Sequence, residues 1–182
     1  MACGPPKGIN PTEAPKTSQP RTLAPRPVGE VFILEASGVQ PEDTVVSTAA
    51  GARRVVVLRR SAPDYGVFTR VEFPEAALSG AAGATVVSLT IRPRPGIFGL
   101  DLSTDGVIGD GAVIRFSYGA HFVAPAGARN RYGSNIAFEK ELAIGKLSED
   151  GRVVFLPTSR PGSDILSAPL PGPGRYLVAA PR

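Results

Sequence analysis

Beyond residue 30 the chain is a succession of short apolar runs divided by turn formers, and that repeat points to β-structure. The runs fall at 31–34, 44–47, 55–58, 67–73, 85–91, 113–118, 136–144, 153–156 and 175–179. Pro63-Asp64, Ser79-Gly80, Asp105-Gly106, Asp150-Gly151 and Pro161-Gly162 punctuate them with residues suited to tight backbone turns. Within 67–73 and 113–118 the side chains alternate, so Arg70, Glu72 and Arg115 face water while their neighbours face a core. The run 55–58 differs, being continuous and closed by the pairs Arg53-Arg54 and Arg59-Arg60. That pattern predicts a strand buried on both faces with solvated ends; a functional basic patch is the alternative. Only 74–78, Glu-Ala-Ala-Leu after a proline, has helical propensity, enough for one turn. The whole predicts an all-β fold, an antiparallel β-sandwich over 30–182, with 30–60 belonging to the same sandwich.

The first 29 residues break the pattern. Prolines at 5, 6, 11, 15, 20, 25 and 27 remove backbone donors and disfavour helix before them. The prediction is a disordered, solvated tether reaching at most about 80 Å. At its head Ala2-Cys3-Gly4, followed by polar and proline-rich sequence, resembles a bacterial lipoprotein trimmed of its signal sequence. The resemblance implies a lipidated Cys3 and an extracytoplasmic protein anchored to a bacterial outer membrane. Each buried acyl methylene adds about 0.8 kcal/mol, so membrane contact through Cys3 needs no spanning helix. The sequence has no run of 18 apolar residues that would make one.

Composition refines this picture. An apolar fraction of 42% is ample for a core, so the 21 glycines and 19 prolines belong to turns and tether. The net charge is +4, and Lys7, Lys16, Arg21 and Arg26 against Glu13 place most of it in the tether. The sandwich is nearly neutral, with no basic helix or aromatic-and-basic stripe, so nucleic acid is not an expected partner.

The stretch from Arg70 through Phe73-Pro74-Glu75-Ala76-Ala77-Leu78 to Gly80, followed by Thr85 to Arg92, resembles the ZU5 domain. In that family a strand, a "hydrophobic-Pro-x-Gly-Ala-hydrophobic" turn and a second strand follow one another; here Ala76 replaces the usual glycine. The likeness continues through 99–102, 113–118 and 165–182, so it covers about 66–180. It implies a β-rich binding or scaffolding module. Some members cleave themselves at His-Phe-Ser, but here His121-Phe122 is followed by Val123, which has no hydroxyl to attack.

Catalytic and metal signatures are sparse. One cysteine makes no internal disulfide and, with one histidine, no zinc site. A triad would have to route through His121, whose neighbours Ala120 and Phe122 supply no group to orient its ring; a turn or strand-end role is expected. Asp101, Ser103, Asp105 and Asp110, with Gly106, have the alternating oxygens of a calcium loop, but Ala112 stands where the bidentate glutamate belongs. No metal or other cofactor is therefore expected. Glu139 and Glu141 read as solvated charges on one strand face. The polar loop with Arg129, Arg131, Tyr132 and Asn135 is the candidate recognition site, for a glycan or an acidic partner.

Together these features predict a non-catalytic surface module that binds a protein or other surface partner. A carbohydrate-binding module is the runner-up, favoured by exposure of Tyr65, Tyr118 or Tyr132; an unbroken sheet edge favours strand addition. Mass spectrometry of the product of the complete native gene tests the anchor. The expected first residue is a diacylated Cys3, and an unmodified methionine in its place removes the surface assignment.

Overall fold

The computed structural model describes residues 22–182; residues 1–21, with Cys3 and most of the proline-rich stretch, lie outside the described residues. In chain order the first strands are β1 (Arg26–Pro27), β2 (Val31–Ile33), β3 (Glu35–Ala36), β4 (Thr44–Ala49), β5 (Arg54–Arg59), β6 (Val67–Phe73) and β7 (Leu78–Ser79). Next come β8 (Val86–Pro93), β9 (Gly99–Thr104), β10 (Val107–Ile108), β11 (Val113–Ser117) and β12 (Phe122–Val123). Two short helices follow, α1 (Ala128–Tyr132) and α2 (Asn135–Glu141). The last strands are β13 (Ala143–Leu147), β14 (Arg152–Phe155), β15 (Ser159–Gly162), β16 (Ile165–Pro169) and β17 (Gly174–Pro181).

The strands form two main antiparallel sheets, as the alternation predicts. The larger runs β1-β14-β13-β17-β9-β8-β4, with β2 added to the far end of β17; the smaller runs β15-β16-β11-β6-β5. Residues 30–60 are distributed between both sheets, since β2 pairs with β17, β4 with β8 and β5 with β6. Leu23, Arg26 and Pro27, from the proline-rich stretch, also rest on the sandwich, the last two paired with Val153 and Arg152.

One apolar layer closes the two sheets. Val56, Leu58, Val71, Phe73, Ile114, Phe116 and Leu166 of the smaller sheet share a cluster with Leu89, Ile91, Leu100, Ile144 and Val178 of the larger. Fully burying such a side chain contributes about 1.5–3 kcal/mol, and their i, i+2 spacing is what puts them all on the inner face. At the β5–β6 pair the register shifts between Leu58 and Arg59: Leu58 faces Thr69, Arg59 faces Val67, and Phe68 is the extra residue. Such a bulge re-aims side chains. Phe68 and Thr69 are consequently both fully buried, with Phe68 stacked on Phe98 at 5.4 Å and edge-on to Phe116.

Three expectations are corrected. The run 136–144 is not a strand: Gly133 turns the chain at φ 77°, Ser134 caps α2 by accepting from the Ala137 N–H, and β13 begins only at Ala143. Helical spacing buries Phe138 and Leu142 while Ile136 stays exposed. Residues 74–78 make no helical turn but a tight turn leading into β7. β5 is not buried on both faces, because Val57 is exposed between buried Val56 and Leu58; nor are all its flanking arginines solvated, because Arg60 is 2% exposed.

In the turn before β7, Ala76 adopts φ 63°, a left-handed conformation that costs an alanine roughly 1–2 kcal/mol and a glycine almost nothing. Its N–H donates to the Gly51 carbonyl at 3.0 Å, which holds the conformation in place. Ala76→Gly is expected to raise stability by about 0.5–1 kcal/mol, after the greater freedom of glycine in the unfolded chain is subtracted. Urea unfolding should show a higher midpoint at unchanged slope; an unchanged or lower midpoint contradicts the strain.

Candidate functional site

Two places in the fold gather functional side chains: a polar cleft at one end of the smaller sheet, and the flank where β4 and β5 leave their edges open.

The cleft encloses about 200 Å³ and is lined by Arg60, Asp64, Ser117, His121 and Asp164 among others. Alternation along β5 points Val56, Leu58 and then Arg60 inward, so the guanidinium enters the core. It lies 5.4 Å from the centroids of both Phe68 and Phe98. Its Nη1 donates to the carbonyls of Ser37 and Val39 at 3.0 and 3.3 Å, Nε sits 3.6 Å from Asp64 Oδ2, and Nη2 is buried with no protein partner. Burial holds the Arg60 pKa below the usual value, an effect that Asp64 opposes.

Asp64 also reaches His121, with Oδ2 2.6 Å from Nε2. The expectation that nothing orients this ring is therefore overturned. The partner comes from the β5–β6 loop, 57 residues away in sequence, while His121 closes the 3-10 turn Gly119–His121. The opposite ring nitrogen packs on Gly38, where a Cβ would lie 3.0 Å from Nδ1; Gly38 itself has φ 75°. Acid, imidazole and the Ser117 hydroxyl thus share a cleft without forming a relay. One ring nitrogen meets Asp64, the other meets backbone, and among the described residues no hydrogen bond joins Ser117 to His121.

A second polar group stitches α2 to the sandwich. Buried Tyr118 has its hydroxyl 2.9 Å from Glu139 Oε1 and accepts from Arg160 Nη1 at 2.7 Å; Arg160 Nη2 donates to the carbonyls of Glu139 and Leu142. Glu139 is thus a helix residue engaged with the core, not a solvated strand charge.

The chain matches no protein-family model, no curated protein and no solved structure. The ZU5 and lipoprotein resemblances accordingly rest on the residues quoted for them.

The sequence-based candidates separate in the fold. Arg129, Arg131 and Asn135 lie on the exposed surface of α1 and the start of α2. Tyr132 turns inward, its ring 5.6 Å from Phe138 and its hydroxyl donating to the Pro181 carbonyl. The expected loop is therefore a helix that packs on the C-terminal strand. Asp101 and Ser103 lie within β9, where Arg94 and Arg175 approach the Asp101 carboxylate at 3.1 and 3.9 Å. Asp105 Oδ1 accepts the Ser88 N–H at 2.7 Å, and Asp110 sits beyond β10 in the following turn. Among the described residues no group of three or more His, Cys, Asp or Glu is placed to hold a metal.

The flank was not anticipated. β4 ends the larger sheet and β5 ends the smaller, and only residues 50–53 separate them, so both unpaired edges lie on one side. A groove of about 420 Å³, whose walls include Glu42, Thr44, Val57, Arg59 and Tyr65, runs between the start of β4 and the end of β5. On the other side, β1 is a two-residue strand ending in Pro27, and β15 contains Pro161 and a register irregularity. Prolines, irregularities and shortness are the usual guards of a sheet edge. The β1–β15 flank combines all three, whereas β4 and β5 are longer and free of proline, with one register shift at the end of β5.

Burial raises the Tyr118 pKa from 10 to about 12, and the Tyr176 pKa rises for the same reason. With the folded value above the unfolded one, the folded state retains the proton more tightly as pH rises. The Tyr118 contribution is thus intact below pH 10 and is lost between pH 10 and about 12. Tyr118→Phe should flatten the fall of stability across that window. At neutral pH it should cost about 1–2 kcal/mol, because Arg160 and Glu139 lose a partner. Equal alkaline slopes in both proteins would exclude the assignment.

Proposed function

We propose that the chain is a non-catalytic interaction module, held at a bacterial membrane through a lipid on Cys3, which recruits a protein partner by strand addition at the β4–β5 flank. The observation that carries this reading is the asymmetry of the edges. β4 and β5 are six residues each and free of proline, whereas β1 and β15 are short, kinked or proline-bearing. An extended segment laid along an open edge satisfies the unpaired backbone groups there and takes specificity from alternate side chains. The residues of those edges suit such a guest, with Val45 exposed on β4 and Val57 exposed on β5 beside Tyr65.

Aromatic placement weighs against the carbohydrate reading. Tyr118 and Tyr176 are buried, Tyr132 packs on Phe138, and Tyr65 is left without an aromatic companion among the ring pairs of the described residues. The His121 cleft weighs against hydrolysis in the same way, because its imidazole is held between Asp64 and Gly38 rather than against a hydroxyl.

Photo-crosslinking residues placed at Thr48 and Val57, and at Arg160 on the guarded flank, test the reading in the native host. Crosslinks to one protein are expected from Thr48 and Val57, and Ser47→Pro or Val55→Pro should abolish them with the strand content unchanged. Crosslinks from Arg160 alone, or ones indifferent to both prolines, would refute strand addition.

A further inference from the structure

The outer face of the smaller sheet breaks a rule of sheet construction. Arg70 of β6 and Arg115 of β11 are direct cross-strand partners, so two guanidiniums stand side by side on one face. Like charges directly opposite one another destabilise a sheet. A single carboxylate moderates them: Glu72 Oε1 lies 2.8 Å from Arg70 Nε and also bonds Arg115 Nη1. Arg59 of β5 stands beside this pair across the same groove and donates to the Tyr65 carbonyl at 3.3 Å. Two guanidiniums therefore share one carboxylate, and Arg59 adds a third positive charge beside them. The exposure is unequal too, with 44% of the Arg70 side chain and 36% of Arg115 open to solvent against 20% of Glu72.

The three arginines rim a groove of about 280 Å³ whose remaining lining is Val57, Val67, Ile165 and Ser117. Beyond Ser117 lies the cleft with Asp64, already engaged by His121 and Arg60, and Asp164, which bounds the basic surface at that end. A surface with an apolar floor, a cationic rim and an open strand at its margin has a definite complement. We infer that the guest of the β5 edge is an extended acidic segment of a partner protein, whose carboxylates face Arg59, Arg70 and Arg115 on the outer side while its alternate apolar side chains turn to the opposite face, on the side of Val56 and Leu58. Guanidinium forks bind carboxylates with paired hydrogen bonds, and arginine clusters are a recurrent means of reading acidic motifs. Local conflicts of this kind are retained where function requires them. The acidic carboxylates would remove the conflict by giving each guanidinium a counter-charge.

This inference rests on the strand-addition reading, and the test separates the two. Three eight-residue peptides alternating valine with glutamate, glutamine or lysine are titrated into the full chain by fluorescence anisotropy, and the β5 amides are followed by NMR. The glutamate peptide should bind with β5 amide shifts and weaken as salt rises. Arg70→Gln, Arg115→Gln and Arg59→Gln should each weaken it about ten- to a hundredfold, the range that corresponds to one charge-assisted hydrogen bond. Arg70→Gln and Arg115→Gln should leave the unliganded protein at least as stable as the parent, since a repulsion is removed. Arg59, which among the described residues bonds one carbonyl, that of Tyr65, serves as the variant least exposed to folding effects. Equal binding of glutamate and glutamine peptides retains strand addition and overturns the acidic guest. Glutamate binding without β5 shifts retains the arginine site and overturns strand addition. Binding of none of the three overturns both. Tighter binding to vesicles containing phosphatidylglycerol than to the glutamate peptide, lost in the same variants, would assign the arginines to a lipid surface and overturn the acidic peptide.

Discussion

A guanidinium held inside hydrocarbon governs one end of this sandwich. Taking a charge from water costs several kcal/mol unless its donors are met, and Arg60 meets most of that cost with two carbonyls, one carboxylate and two aromatic faces. Each compensating group must be carried there by a different piece of chain. Ser37 and Val39 bring the segment after β3, Asp64 brings the β5–β6 loop, Phe68 arrives through the bulge in β6, and Phe98 enters from the chain before β9. His121 then shares Asp64, and Gly38 has to be a residue without a side chain so that the imidazole fits beside it. The polar cleft is thus chiefly the outer surface of a buried-charge arrangement, which explains why it gathers acid, imidazole and hydroxyl without aligning them for proton transfer.

The alternation of β6 and β11 was legible because period two leaves its mark on any strand with one wet face. The same pattern misled at 136–144, where Ile136, Phe138, Leu142 and Ile144 permit a strand reading, though Ser134 is a good helix cap and Phe138 and Leu142 are four apart. The apolar-run pattern passes over β9, which only the family resemblance at 99–102 marks, because its acidic and hydroxyl residues suit a cation as well as partners such as Arg94 and Ser88. For the site the difficulty was distance. Nothing near His121 or Arg60 in sequence announces Asp64 as the partner of the first or Phe98 as the companion of the second; only the folded sheet brings them together. Tyr132 illustrates the converse error, since a polar neighbourhood in sequence concealed a ring that packs inward.

The two flanks are guarded in different ways. Proline and irregular pairing close one side to other strands, while arginines flank and face the other and discourage indiscriminate pairing there without blocking the backbone. Charge is a more selective guard than proline, because it repels most chains and admits those of opposite sign.

The position of β17 has a consequence for how the protein comes into being. That strand joins β13, β9 and β2, segments separated by more than a hundred residues, and lies in the interior of the larger sheet. Until residues 174–181 have left the ribosome, the β4-β8-β9 ladder and the β13–β14 ladder have no strand to join them into one sheet. The larger sheet is thus completed late, by a strand that unites ladders able to form before it.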